Sequence, residues 1–172
     1  KSDADRSRVV SRLRALNPIV GEDWVDLLWA RVDLYKKLNL PTAEIQGAQS
    51  ELVTLLERRI AERRRPLEQD RGDYLQLVHL WQETGKIDKA IAILAKFQKA
   101  FPREFTFYYT EARLRMKQND WAGAEPKARM SYKYSYGDNR IRSVKLIAEI
   151  QTARGNRAAA LETLKKAALE FA

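Results

Sequence analysis

Cysteine is absent from this 172-residue sequence, and histidine occurs only once, at His79. Without cysteine, disulfides, thiolate zinc sites and CxxC redox chemistry are excluded. A lone histidine cannot form a histidine metal cluster, so we expect His79 to pack or to face a groove. The sequence also lacks a paired-carboxylate motif, a glycine-rich phosphate loop and a nucleophile elbow. It therefore predicts no enzyme: no catalytic residue, no metal site and no cofactor.

Long apolar runs are also missing. No stretch approaches the roughly 18–20 apolar residues that span a bilayer, and the first residues lack a signal-peptide core. Only 7 Gly and 5 Pro occur beside many Ala, Leu, Lys, Arg and Glu, which favours an all-helical protein. The chain begins with Lys1 rather than methionine, which predicts a processed protein or a piece of a longer one. A bacterial periplasm or envelope and a cytoplasm are both compatible with these features.

A helix–turn–helix pattern fills residues 73–102. Its first helix places apolar residues at i, i+3, i+4 and i+7, namely Tyr74, Leu77, Val78 and Trp81. Gly85 suits the left-handed residue that ends such a helix, because glycine has no Cβ to clash. Pro102 follows the second helix and stops it. This stretch predicts two short helices hinged at Gly85.

The same pattern returns twice along the chain. A cap residue is followed five positions later by alanine in three places: Gly85 and Ala90, Asn119 and Ala124, Gly155 and Ala160. Asparagine substitutes for glycine in the left-handed conformation, so Asn119 preserves the cap. The alanines mark points where two helices approach closely. The caps are 34 and 36 residues apart, which predicts three stacked helical pairs.

These units resemble the tetratricopeptide repeat (TPR). The residues that carry the resemblance are Gly85, Ala90, Pro102, Ala112, Trp121, Ala124, Ala148, Gly155, Ala160 and Ala167. The resemblance implies an all-α, right-handed superhelix of antiparallel helix pairs, with repeats at 73–102, 105–136 and 138–172. The second unit departs from the pattern, since Glu111 and Arg115 stand on its packing face. We expect Pro126 to disturb its second helix and Lys127 to be an ordinary surface residue.

Residues 1–70 are predicted to form an N-terminal helical cap on the repeats at 71–172. A short amphipathic helix ends at Asn17-Pro18, because a residue before proline resists the α region. A hairpin of helices at 23–38 and 43–65 follows, and whether it is a fourth, divergent repeat stays open. We expect Thr42 and Asp138 to be helix N-caps.

Nearly all of the positive charge lies in the repeats. Residues 1–70 hold 13 Lys and Arg against 12 Asp and Glu, whereas residues 71–172 hold 19 against 11. In the TPR fold the first helix of each pair lines a concave groove. The positions carried there by the resemblance are Leu75, His79, Gln82, Tyr109, Arg113, Met116, Lys117, Arg142, Lys145 and Glu149. The family's carboxylate clamp is only half present, because Leu75 and His79 replace its Lys and Asn.

The predicted function is recognition of a protein partner, whose acidic or extended segment lies in this basic groove. The alternative is binding of nucleic acid or another polyanion, which basic residues beside the aromatics of SYKYSY (131–136) also suggest. EFTFYYTEARL (104–114) and SYGDNRIR (135–142) are further similar to repeat segments that follow a thioredoxin-like domain in some bacterial secreted or envelope proteins. That similarity implies an interaction arm.

Overall fold

The protein is described from a computed structural model, which covers residues 3–14 and 23–171. Helices make up 82% of the described residues, which contain no strand. The predicted turn at Asn17-Pro18 lies outside the described residues. The helices are α1 (Asp3–Arg14), α2 (Asp23–Lys37), α3 (Thr42–Arg63), α4 (Arg71–Glu83), α5 (Ile87–Ala100), α6 (Phe105–Lys117), α7 (Trp121–Tyr134), α8 (Asp138–Ala153) and α9 (Arg157–Glu170). None of these nine helices is long and apolar enough to cross a membrane.

The chain divides into two compact units, Lys1–Gly85 and Lys86–Ala172. The first unit contains α1 to α4, and the second contains α5 to α9. The boundary therefore falls at the hinge of the first predicted repeat, between α4 and α5. Each unit is described below by itself.

The predicted left-handed caps are confirmed. Gly85, Asn119 and Gly155 have φ angles of +76°, +59° and +80°. At Asn119 the backbone N–H groups of residues 119 and 120 donate to the carbonyls of Met116 and Arg115, at 3.0 and 2.9 Å. This pair of bonds satisfies carbonyl groups that the end of α6 would otherwise leave free.

The turn between α2 and α3 has the same design, which the sequence analysis missed. Asn39 has a φ of +50°, and the N–H groups of Asn39 and Leu40 donate to the carbonyls of Lys36 and Tyr35, at 3.0 and 3.1 Å. The hairpin therefore turns as the repeats do, although α3 has 22 residues where α5, α7 and α9 have 14.

Two predicted N-caps were wrong by one residue. Thr42 is the first residue of α3, and Pro41 precedes it without a side-chain cap bond. Asp138 is likewise the first residue of α8, after the left-handed Gly137. Both side chains still lie in the first turn, where an acid such as Asp138 favours the positive end of the helix dipole. The predicted kink at Pro126 did not split its helix, since α7 runs continuously to Tyr134.

Small residues hold the helices of the second unit together. Ala90, Ala124 and Ala160 are all buried, as the repeat spacing predicted. A central cluster draws Ala112 from α6, Ala124 and Ala128 from α7, and Leu146, Ile147 and Ile150 from α8. Alanine at these positions lets the helix backbones approach closely enough for the branched side chains of α8 to fill the remaining space.

Glu111 introduces a buried charge into this packing. Its side chain is 1% exposed and accepts from Gln98 at 2.6 Å and from Arg115 at 2.8 Å, and Lys127 Nζ lies 2.9 Å from it. Lys127 is therefore not the ordinary surface residue that the sequence predicted, because a buried carboxylate requires a compensating cation. Arg115 is explained in the same way, since it bridges Glu111 and Asp120.

Candidate functional site

In the first unit, α4 carries three of the predicted binding residues. Leu75 is exposed, Gln82 is half-buried, and the His79 side chain is 54% exposed. The imidazole stacks on the ring of Trp29 from α2, with ring centroids 5.8 Å apart and an interplanar angle of 28°. Trp29 also donates from Nε1 to Gln76 at 2.7 Å. His79 therefore packs against Trp29 on one side and is exposed to solvent on the other, in agreement with the two roles that the sequence predicted.

Glu83 ties three helices of the first unit together. Its carboxylate accepts from Lys36 of α2 at 2.7 and 2.8 Å and from Gln49 of α3 at 2.6 Å, and it lies 3.5 Å from His79 of its own helix. Burial alone would raise the pKa of Glu83, but the hydrogen bond from Lys36, the charge on His79 and the bond from Gln49 together hold that pKa below its usual value.

In the second unit, the predicted residues of α6 fall into two kinds. Tyr109 and Met116 are half-buried and pack against the central cluster to which α6, α7 and α8 contribute. Arg113 and Lys117 are exposed, one turn apart on the outer face of the helix. The two apolar side chains therefore serve the core in part, while the two cations are open to solvent.

The three predicted residues of α8, Arg142, Lys145 and Glu149, are exposed. Lys145 and Glu149 also line an open groove of about 500 Å³. The remaining lining residues of this groove are Ala148, Thr152 and Ala153 of α8 and Leu164 of α9. The groove is therefore an apolar trough with one cation and one anion on its rim.

Ion pairing distinguishes the exposed cations of α6 and α8 from several other cations of the second unit. Arg129 and Arg154 pair with Glu125, and Arg140 pairs with Glu170, in addition to the pairs made by Arg115 and Lys127. Among the described residues, no ion pair is formed by the exposed cations of α6 and α8, namely Arg113, Lys117, Arg142 and Lys145. Their charge is free to attract an external anion.

Other charged and aromatic candidates are occupied within the fold. Arg63 contacts Asp70 and Asp73 at 3.9 and 3.4 Å, so the charge of this arginine is compensated within the fold. Tyr132 packs against the central cluster and hydrogen-bonds to Glu170. Tyr134 packs against Tyr108, whereas Tyr136 lies beyond the end of α7, 71% exposed. Tyr132 and Tyr136 therefore do not share a helical face.

Sequence reasoning missed Trp29, which supports His79 from the neighbouring helix. Trp29 is half-buried on α2, whereas Leu27 of the same helix is 42% exposed. The large aromatic side chain of Trp29 was the available signal. Within residues 3–14 and 23–171, no group of three or more His, Asp or Glu side chains is arranged to hold a metal ion.

Comparisons with known proteins identify the fold. No protein-family model and no curated protein matches the sequence. Among solved structures, MamA MSR-1 and MamA AMB-1 are each 22% identical to this chain with a TM-score of 0.60. Each alignment covers 96% of this chain, and 87% and 89% of the MamA chains, respectively. MamA is a TPR-like helical protein, so the predicted all-α, TPR-like fold is confirmed.

Proposed function

We propose that this protein is a protein–protein interaction module that binds an acidic or extended segment along the first helices of its repeats. The observation that carries the proposal is the set of four exposed cations on α6 and α8 that lack ion-pair partners among the described residues. Guanidinium and ammonium groups make charge-assisted hydrogen bonds to carboxylates. The TPR-like fold supports a binding role, since helical repeats present extended surfaces to partners.

The proposed binding surface is the exposed face of α6 and α8. Arg113, Lys117, Arg142 and Lys145 supply its positive charge, and the partly exposed Tyr109 and Met116 supply apolar contacts. Glu149 lies one turn beyond Lys145 and selects against a uniformly acidic ligand at that point. Leu75, His79 and Gln82 of α4 are proposed as a separate contact surface on the first unit. An interaction arm of an envelope protein, as the thioredoxin-linked resemblance implies, is compatible with this role.

The test is a charge reversal at Arg113→Glu and Lys145→Glu. The probes are a labelled acidic peptide that contains leucine and aromatic residues, and a labelled single-stranded oligonucleotide. We expect the double variant to bind the peptide at least about tenfold more weakly, since each lost contact to an exposed cation is worth about 1 kcal/mol. Helicity and melting temperature should not change.

A matched control makes the same charge change elsewhere in the unit. Lys96 and Lys99 on α5 are exposed and also lack ion-pair partners among the described residues. Lys96→Glu with Lys99→Glu should leave peptide binding intact. An equal loss in both double variants would show that net charge alone attracts the peptide, and the proposal would fail.

Salt distinguishes the peptide from the polyanion. Oligonucleotide binding should fall log-linearly with salt, with a slope of about −0.7 for each contacted phosphate. Peptide binding should depend on salt less steeply, because Tyr109 and Met116 contribute apolar contact. Tight oligonucleotide binding with the steeper slope, and no saturable peptide binding, would favour the polyanion alternative.

A further inference from the structure

The groove between α8 and α9 corresponds to a surface of α6 and α7 in the preceding repeat. Within the second unit, that surface is in contact with α8. Asn119 and Gly155 are equivalent cap residues 36 positions apart, so subtracting 36 gives the inner counterpart of each lining residue. Lys145, Ala148, Thr152 and Leu164 correspond to Tyr109, Ala112, Met116 and Ala128. Glu149 and Ala153 correspond to Arg113 and Lys117.

The inner counterparts show what covers such a surface. Ala112 and Ala128 are fully buried, and Tyr109 and Met116 pack against the same cluster. The side chains that cover them belong to α8 and are Leu146, Ile147 and Ile150. A helix that packs on such a surface therefore presents leucine and isoleucine at positions i, i+1 and i+4.

The outer trough is open to solvent. Leu164, the counterpart of the fully buried Ala128, is 43% exposed. Leucine in place of alanine adds apolar surface at this position, and Ala153 stands where the inner trough has Lys117, while Lys145 and Thr152 replace Tyr109 and Met116. An exposed apolar trough with a charged rim is typical of an interaction surface.

We infer that the α8–α9 groove docks an amphipathic helix of a partner protein, whose inner face resembles that of α8. The helix presents branched aliphatic side chains at i, i+1 and i+4 to Ala148 and Leu164. On the flank that faces α8, an acidic residue of the partner helix meets Lys145, and a basic residue one turn away meets Glu149. This site differs from the proposed acidic-segment surface in its ligand, since it selects for apolar helical contact.

The probe is a peptide with the sequence of α8 itself, residues 138–153. Isolated helices of this length are marginal in water, so a lactam between its own Lys145 and Glu149 side chains fixes the helix. These residues are exposed in α8 and lie away from its inner face. A second lactam peptide, with Leu146→Lys and Ile150→Lys, has the same helix constraint but lacks the apolar face.

We expect the first peptide to bind the full chain saturably and the second not to bind. Leu164→Asp in the protein should weaken binding at least about tenfold, because the variant removes a large apolar contact from the trough. Leu169→Asp is the matched control, since Leu169 lies on the same helix, is 82% exposed and does not line the groove. The melting temperature of both variants should equal that of the unmodified protein.

Equal binding by the Leu164→Asp and Leu169→Asp variants would overturn the inference, as would the absence of saturable binding by the first peptide. Sedimentation of the full chain tests a second copy as the occupant. A concentration-dependent dimer that disappears in Leu164→Asp would also overturn the assignment to a partner helix. Arg113→Glu with Lys117→Glu changes the acidic-segment surface but no residue that lines the groove, so it should weaken binding of the acidic peptide and leave docking of the α8 peptide unchanged. The two tests therefore fail independently.

Discussion

Ala124 of α7 belongs to the central cluster of the second unit. It is fully buried beside Ala112 and Ala128. Ala124→Leu adds three carbons where no space remains, so we expect the free energy of unfolding to fall by roughly 1–3 kcal/mol. Urea denaturation followed by circular dichroism measures this change.

The matched control is Ala122→Leu, because Ala122 is exposed on the same helix. That variant should unfold at nearly the same urea concentration as the unmodified protein. Equal destabilisation by the two variants would mean that helix propensity, rather than packing, determines the effect, and the assigned register of α7 would be wrong.

Some individual residues were predictable because their role depends on local backbone conformation. The left-handed caps and the buried alanines follow from residue type and spacing alone, and the structure confirms both. The role of Lys127 was not predictable in this way. Its partner Glu111 lies on another helix, and the bond from Gln98 involves a third. Such a network depends on tertiary distances that no local pattern contains.

At the scale of elements, the Glu83 network joins α2, α3 and α4, and it predicts a dependence of stability on pH. The pKa of Glu83 lies below its usual value of 4.5 in the folded protein. This carboxylate therefore stabilises the fold above about pH 4.5, and its contribution is lost as the pH falls through the lower, folded-state pKa. The network should weaken in acid and stay intact at neutral pH.

We expect the stability of the Glu83→Gln variant to depend less on pH in acid. Urea midpoints measured between pH 7 and pH 3 should fall less in this variant than in the unmodified protein, because the variant has no carboxylate to protonate. Glu68→Gln is the control, since Glu68 is exposed and forms no ion pair among the described residues. Identical pH profiles for all three proteins would show that the Glu83 contacts add no stability.

Helix boundaries were predicted to within one or two residues, since caps and prolines mark them in the sequence. The similarity between the α2–α3 turn and the turns of the repeats was not predicted. Asn39 is not followed five residues later by the alanine that marks the other units. The structure shows that the cap at Asn39 is formed by the same pair of backbone bonds without that alanine. A shared turn is therefore recognised better by its cap residue than by its packing residues.

At the scale of the whole molecule, the boundary between compact units makes a prediction about truncation. In the first unit, Asp73 of α4 pairs with Arg59, whose Nε donates to it at 2.9 Å, and with Arg63. A fragment of residues 71–172 retains α4 but loses the arginine partners of Asp73 and the helices α2 and α3 that contribute Lys36 and Gln49 to the Glu83 network. We expect it to aggregate or to unfold with low cooperativity.

A fragment of residues 86–172, which corresponds to the second compact unit, is the comparison. It lacks α4 and should be more soluble and should unfold more cooperatively, as measured by light scattering and urea denaturation. If the 71–172 fragment proved the better behaved of the two, the predicted N-terminal cap at 1–70 would be a separate module, and α4 would belong with α5.

The candidate site was predictable in its residue types but only partly in its surroundings. Repeat matching placed Arg113, Lys117, Arg142 and Lys145 on exposed helix faces, because the 3.6-residue period fixes which face each position occupies. It did not separate the cations that are ion-paired from those that are not. That distinction depends on where Glu125 and Glu170 lie in space.

The asparagine caps also bear on the chemical ageing of the protein. Asparagine side chains deamidate when the backbone nitrogen of the following residue attacks the side-chain carbonyl. At Asn39 and Asn119 that nitrogen, in Leu40 and Asp120, donates a hydrogen bond to a carbonyl of the preceding helix. The hydrogen bond that closes each turn therefore also restrains the attacking nitrogen. Asn39 and Asn119 provide the left-handed turn and should lose their side-chain amides more slowly than asparagines in an open loop.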